Sequence, residues 1–485
     1  RMPPRNDFVR AWADHSDDER MVFTRLQGAY AAMLDHADRN LARLIAFLDT
    51  AGVRENTLVI VMSDNGASQE GGPLGMLNAM GPYNFRWETM EEKKRLLDLV
   101  GGPKSHSNFP LGWAMAANTP LRRYKQNTHG GGIRDPLVIS WPAKIRARGE
   151  LRHQFAHASD LAPTLLDIVG VTPPAEVNGV KQMPLTGVSF KQSLFDATAP
   201  SRATPQYFEM FGHRGVWRDG WKAVAYHPPG TPFEKDKWEL FHLDEDFSET
   251  RDLAAEKPEL LKELIDLWWQ EAEANQVLPL DDRFGPRFAE SAARYHGARR
   301  KFTFHRGMGH VPTDVAPDGR SRSYTIEADA HVGEGADGVL ISHGDATSGY
   351  ALYLRDGRLT HVLNIGGTHT TVTSDRIVPA GDRKLGVRVR RLSKIVPPRM
   401  GEGQGTSRYT LLIDGEEAGS IETPLGFVTL ISWSGLDIGF DRGSPVGDYS
   451  APFAFTGELR KVTVTMDADQ GLDGEAVGAT EMARQ

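Results

Sequence analysis

The sequence predicts an α/β domain with a small antiparallel subdomain, followed by an all-β sandwich. Three observations predict it. Helical periodicity gives way to a short apolar strand early in the chain, and a second strand and helix follow between residues 136 and 169. A cluster of short strands with a closing helix lies between residues 205 and 280. From Phe302 onward only alternating, β-branched runs remain, punctuated by turn residues. At 485 residues the chain has room for two or more domains, each large enough to bury its own core.

Between Asp18 and Ala51, residues Val22, Leu26, Ala29, Met33, Ala37, Leu41, Leu44 and Leu48 recur three or four apart, and Gly52 is a suitable stop. This spacing predicts one long helix. Strands are predicted over 58–62 and 136–141, and a helix over 161–169. The polar, glycine-rich stretch 63–132 is long for connecting sequence, with one helix expected over 88–100. Long loops of this kind in α/β domains carry function. The region 1–204 is therefore read as one α/β portion. Residues 205–280 form the subdomain, with strands expected at 206–210, 221–226 and 239–243 and a helix from Pro258 to about Ala274. Residues 281–300, with Pro286 and Arg287, read as a linker, and 301–470 as the sandwich. Strands are expected there at 324–328, 338–342, 350–354, 359–364, 385–389, 409–413 and 461–465. Asp356-Gly357 and Asp414-Gly415 sit between apolar runs, the strongest short-range hairpin signal. The Gly/Ala/Asp/Glu-rich tail 471–485 is expected to be mobile.

Hydrophobic residues make up 40% and charged residues 25% of the chain, a globular balance, and no apolar run approaches the ~20 residues that would span a bilayer. A formal net charge of -8 gives no electrostatic reason to expect nucleic-acid binding. The Arg/Lys clusters at 299–301 and 388–394 read as solvated faces. By default the partner is a small molecule or saccharide, with no membrane partner. The absence of cysteine excludes disulfides, thiolate metal sites and a cysteine nucleophile in this sequence. The chain starts at Arg1, not Met, so its beginning is expected to be missing, and compartment and oligomeric state are not readable.

Thr57-Leu-Val-Ile-Val-Met-Ser-Asp-Asn-Gly66 is the most informative segment. An apolar strand ending in the oxygen-bearing Asp64 and Asn65 is how an α/β sheet offers hard ligands at a strand's carboxyl edge, although the same residues also suit a βα turn. Four further segments follow in order: Asp-Asn-Gly-Ala-Ser-Gln-Glu-Gly-Gly (64–72), Gly-Trp-Ala-Met-Ala-Ala-Asn-Thr-Pro (112–120) running on to Tyr-Lys-Gln-Asn-Thr-His-Gly-Gly-Gly (124–132), Ser-Asp-Leu-Ala-Pro-Thr-Leu-Leu-Asp (159–167), and Trp238 to Ala254. In this order they resemble a sulfatase of the large bacterial arylsulfatase type, in the alkaline-phosphatase-like superfamily, from about residue 20 to about residue 470.

The resemblance implies the later part of an alkaline-phosphatase-like catalytic domain and, behind it, a lectin-like jelly-roll sandwich. It implies Asp64 and Asn65 as calcium ligands, and Lys125 as a contact to the sulfate and leaving oxygen. A sulfuryl group spreads negative charge over its oxygens, so a hard cation and an ammonium suit it. His129 is a proton-donor candidate by its near-neutral pKa, ranked below Lys125 because packing is its alternative role. Where the family usually has an acidic residue, this chain has Gly130. His106, with Lys104 and Ser105, is placed to reach substrate from the long loop, and His153 and His157 to cap or pack the helix near Asp160.

The family's formylglycine arises from Cys or Ser in Cys/Ser-x-Pro-x-Arg, and no such motif occurs. Thr198-Ala-Pro-Ser-Arg202 lies too late and its Thr would oxidise to a ketone. Ser140-Trp-Pro-Ala-Lys144 lacks the Arg and falls on a strand expected to be buried, and Arg1-Met-Pro-Pro-Arg5 has Arg at the nucleophile position. The family's paired N-terminal aspartates and early Lys/His contacts are absent too, so the calcium site is incomplete. The chain alone is expected to be inactive, with steroid, aryl and carbohydrate sulfates all open as substrates. Two rivals stand: a phosphoric or phosphonic ester hydrolase of the same superfamily, and a catalytically dead saccharide-binding protein. For the latter, Tyr350, Trp433 and Phe440 could stack on sugars but suit a core better, and Asp437, Asp441 and Asp448 could hold calcium but suit turns better.

Overall fold

The computed structural model describes residues 2–202, 204–283, 299–393 and 406–468, so most of the expected linker and the whole expected tail lie outside the described residues. The chain forms two units that are not sequential: 1–9, 32–68 and 112–282 make the first, and 10–31, 69–111 and 283–485 the second. The helix Asp17–Thr50 starts in one and ends in the other. The subdomain region 205–280 thus joins the α/β part. Residues 69–111, read from sequence as part of the α/β region, belong with the sandwich.

In the first unit, β1 (Val59–Met62) and β2 (Leu137–Ser140) pair antiparallel, with Val59 opposite Ser140 and Met62 opposite Leu137. The expectation that β2 is buried is corrected here, since Val138 is 61% exposed. A two-stranded ladder leaves both faces and edges open, which an apolar sequence alone does not reveal. The helix Leu161–Val169 lies as expected and ends on Gly170. A short hairpin, β3 (Glu176–Val177) and β4 (Val180–Lys181), follows.

β5 (Gln206–Met210), β6 (His213–Arg218), β7 (Trp221–Ala225) and β8 (Trp238–His242) form an antiparallel sheet in chain order. The helix Pro258–Ala274 closes it because Leu264, Trp268 and Ala272, four apart on one face, meet Val216, Ala223 and Leu240 in a common core. The Trp268 indole N–H donates to the Phe208 carbonyl at 3.0 Å, so the large side chain is buried without an orphaned donor.

The second unit is a sandwich of two antiparallel sheets. Its strands are β9 (Lys301–Phe304), β10 (Tyr324–Val332), β11 (Gly338–Asp345), β12 (Ser348–Arg355), β13 (Arg358–Ile365), β14 (Thr368–Thr373), β15 (Gly381–Arg391), β16 (Ser407–Ile413), β17 (Glu416–Thr423), β18 (Leu436–Ile438) and β19 (Glu458–Met466). One sheet runs β17-β16-β15-β10-β19-β9, the other β14-β13-β12-β11-β18. Ile326, Leu352, Leu385 and Leu411, all fully buried, come from both sheets into one core. Alternation in β10 places every second residue inward, as a half-buried strand requires. Both Asp-Gly pairs sit at φ of +50 to +90°, Asp356 and Gly357 at 52° and 70° and Asp414 and Gly415 at 53° and 87°, making the hairpins their sequence announces.

Residues 69–111 fold onto this sandwich through buried amides. Asn84 donates to the Leu430 carbonyl at 2.9 Å and accepts from Val428 N–H at 2.8 Å, while Asn78 donates to the Thr347 carbonyl at 3.0 Å. The helix expected over 88–100 is shorter, Met90–Arg95 with a 3-10 turn Leu97–Leu99. Thr89 and Glu92 form its capping box, and Gly101-Gly102-Pro103 follows the turn.

Gly366, in the β13–β14 turn at φ +59°, meets Gly81 backbone to backbone, and a Cβ there would lie 2.4 Å from the Gly81 Cα. Gly415, at φ +87°, has open space around it. Gly366→Ala is expected to cost ~1–3 kcal/mol more than Gly415→Ala, because the second carries backbone strain alone and the first adds a clash. Urea denaturation of the two variants measures the difference; equal losses would refute the close approach.

Candidate functional site

The loop after β1 is held by its own backbone and by the glycine-rich loop 122–134. Ser63 N–H donates to the Pro136 carbonyl (3.3 Å), Gly66 N–H to Gly132 (3.3 Å) and Lys125 N–H to Ala67 (3.0 Å). Asn118 clamps both loops, accepting from Ala67 N–H at 3.0 Å and donating to the carbonyls of Arg123 (3.0 Å) and Gly131 (2.8 Å). The approach needs bare backbone. A Cβ on Gly66 would stand 1.7 Å from the Gly131 oxygen, and one on Gly131 2.1 Å from the Arg123 oxygen. Asp64, exposed, and Asn65 and Lys125, half-buried, therefore lie on adjoining loops of one unit. Asn118, which sequence reading quoted only inside a longer segment, is the residue that joins them.

Asp135, also missed, lies just before β2, as Asp64 lies just after β1, the strand with which β2 pairs. Burial and the Asp64 charge push its carboxyl up to about 6. Such repulsion between carboxylates is what a hard cation relieves. The donor chemistry, two carboxylates with the Asn65 amide, fits part of a calcium shell. It does not complete one: calcium takes about six to eight oxygens, and among the described residues no group of three His, Asp or Glu could hold a metal.

His129 is 1% exposed. Its Nε2 donates to Glu239 at 2.9 Å, and burial lowers its pKa despite that carboxylate, so the ring is neutral at pH 7. The sequence reading left it between proton donor and packing; in the structure it bonds a carboxylate of the four-stranded sheet. Glu239 also takes the Arg122 guanidinium at 3.0 Å. Behind it, buried Glu249 accepts from Gly130 N–H (2.9 Å) and pairs with buried Lys222 (2.6 Å). The Glu249 carboxylate oxygen lies 3.6 Å from where a Gly130 Cβ would be, so an acid reaches this place from another segment.

Other candidates separate. Lys104, Ser105 and His106 belong to the second unit, and the His106 carbonyl accepts from Ala79 N–H at 2.8 Å. His157 caps the turn Ala158–Asp160 as expected, whereas His153 is exposed. Arg202 is buried against Asp160 at 2.8 Å, a structural role that agrees with setting aside the Thr198 near-miss. Tyr350 is core, while Trp433 is 63% exposed. Asp437 accepts from Arg442 N–H (3.3 Å), and Asp441 from Val446 N–H (3.1 Å) and the Tyr449 hydroxyl (2.7 Å), which are turn roles.

Burial would raise the Glu239 carboxyl, but the bonds from His129 and Arg122 outweigh it and hold it at about 2. A carboxylate depressed from its ordinary 4.5 contributes stability that is fully present above pH 4.5 and lost as pH falls toward 2. Glu239→Gln is expected to remove about 3 kcal/mol at pH 7 and flatten the acid limb between those values. Denaturant unfolding from pH 7 to 2 reads both. Lys222→Ala leaves Glu249 buried without its cation, for an expected loss of about 3–5 kcal/mol in the same assay.

Two family models match the chain: Sulfatase over residues 5–171 and N-sulphoglucosamine sulphohydrolase, C-terminal, over 124–273. An uncharacterized sulfatase of Schizosaccharomyces pombe is 30% identical over 280 residues, covering 56% of this chain and 48% of that protein. The arylsulfatase of Klebsiella aerogenes is 25% identical, covering 43% and 42%. The solved structure of Ps i-CgsB in complex with k-i-k-neocarrahexaose is 21% identical, covers 57% of this chain and 48% of that one, and has a TM-score of 0.37. The chain spans about half the length of the curated relatives it matches. With its ordered motifs, its α/β part and its following sandwich, the chain belongs to the sulfatase family.

Proposed function

We propose that this chain supplies the cation- and oxyanion-binding loops of a sulfuric ester hydrolase of the arylsulfatase type. The observation that carries the reading is the clamp of Asn118 on the Asp64 loop and the Lys125 loop, with Lys125 N–H on the Ala67 carbonyl at 3.0 Å. Asp64 and Asn65 would hold calcium together with ligands beyond those described. Bound there, calcium would neutralise charge on the sulfuryl oxygens. Lys125 contributes a mobile ammonium for the sulfate and leaving oxygens. His129 acts as a positioning residue, keeping the glycine-rich loop on Glu239. The formylglycine of the family has no precursor motif in this sequence, so no step is assigned to it, and the chain alone is expected to be inactive.

The test compares matched aryl sulfate and aryl phosphate. The purified chain should turn over neither. A polypeptide joining it to a segment that carries Cys/Ser-x-Pro-x-Arg should hydrolyse the sulfate in preference, and Lys125→Ala should lower its kcat/KM by roughly 10²–10³, the cost of one oxyanion donor. His129→Gln should lower thermal stability yet leave the pH profile of kcat/KM unmoved. Sulfate turnover by the chain alone, or full activity of the Lys125 variant, would sink the reading. Preference for the phosphate would favour the rival ester.

A further inference from the structure

A cavity of about 540 Å³ opens in the second unit, lined by residues of 77–105 and by turns of the five-stranded sheet. Arg86, Arg95, Lys104 and Arg355 bring four cations to its walls, against the carboxylates of Glu88 and Asp448. That is a positive surplus on a chain whose formal charge is -8, so the field there is local and not a property of the whole surface. Glu88 is already occupied, accepting from Leu77 N–H (2.9 Å) and Asn78 N–H (2.8 Å). Arg86 is spent on Glu92 at 2.8 Å. Arg355 is fixed in place by the Asp448 carbonyl at 2.6 Å, which leaves most of its fork of donors available. Arg95 and Lys104 are exposed at the cavity and have no ion-pair partner among the described residues.

The remaining lining is of mixed character. Thr368 and Ser450 offer hydroxyls, Ser105, whose hydroxyl donates to the Leu77 carbonyl at 2.7 Å, offers an acceptor, and Leu96, Leu99 and Tyr449 offer apolar surface, the Tyr449 ring being held by its bond to Asp441 at 2.7 Å. Hydroxyl donors and acceptors, a small apolar wall and unpartnered cations suit a ligand with hydroxyls, C–H faces and fixed negative groups. We propose that this cavity binds an anionic saccharide, its sulfo or carboxylate groups held by Arg95, Lys104 and Arg355. The inference is independent of the catalytic reading, because none of these residues belongs to the unit that carries Asp64 and Lys125.

Isothermal titration of the full chain tests it with three probes of equal length: a heparin-derived hexasaccharide, an unsulfated oligogalacturonide and neutral maltohexaose. One or both acidic probes should bind and the neutral one should not, and which acid binds tells sulfo from carboxylate. Arg95→Ala/Lys104→Ala should weaken binding roughly tenfold or more, while Lys301→Ala/Lys384→Ala, which removes two exposed cations elsewhere on the sandwich, should stay within about twofold. Asp64→Ala/Lys125→Ala should bind as the parent does, so failure of catalysis and failure of this site are separable. Silence with both acids, equal binding of the neutral probe, equal loss in the two double variants, or displacement by inorganic sulfate at the hexasaccharide's own concentration would each overturn the proposal.

Discussion

Two carboxylates anchor the region on which the candidate site stands. Glu239 and Glu249, borne on β8 and just beyond it, draw Arg122, His129, the Gly130 N–H and Lys222 inward. The side chains that the glycine-rich loop buries, Asn127, Thr128 and His129, are polar, so polar partners hold it in place. Its position is set by charge-assisted hydrogen bonds in a site shielded from water, where they are stronger than on a surface and where losing one partner strands the other. The antiparallel sheet thus backs a loop whose own backbone bonds, such as Gly131 N–H to the Arg122 carbonyl at 2.7 Å, hold it only locally.

Once the loop is fixed, the second constraint is steric. Gly66, Gly131 and the backbone around Arg123 approach so closely that a single methyl group would separate the strand-end loop from the lysine loop. Asn118 then satisfies the backbone groups that this approach leaves facing one another, one acceptor and two donors from a single amide. Asp64, Asn65 and Lys125 depend on both devices, because backbone contacts bring their loops together.

Much of the fold was legible in the chain. The sandwich strands follow from alternation and Asp-Gly turns, and the helix Pro258–Ala274 from its four-residue spacing, because these signals are local. A strand such as β17, with its Glu, Ala and Gly, is not among those expected, since sheet pairing and not composition makes it one. The site divides in the same way. Asp64 and Asn65 stand out at the end of an apolar run, but Glu239 lies 110 residues from His129, and no periodicity connects them. An imidazole reads as a proton carrier or as packing until its surroundings are known, and at His129 the surroundings are burial and the Glu239 carboxylate.

The allegiance of residues 69–111 follows from polar groups as well as from buried apolar ones. The segment buries Met76, Leu77, Met80, Val100 and Phe109, and Phe85 packs against Val428 of the sandwich. Asn84 and Asn78 meet carbonyls and an N–H of the sandwich loops, and Gly81 lies flat against Gly366. A buried amide that finds three partners fixes position more sharply than an apolar contact of the same size, since its geometry tolerates little displacement. That rigidity matters for the cavity beside it. Lys104 and Arg95 are long, mobile side chains, and they converge on one volume because the backbone beneath them is pinned, so the cationic character of the cavity is a consequence of how an uncharged pair of asparagines docks the segment.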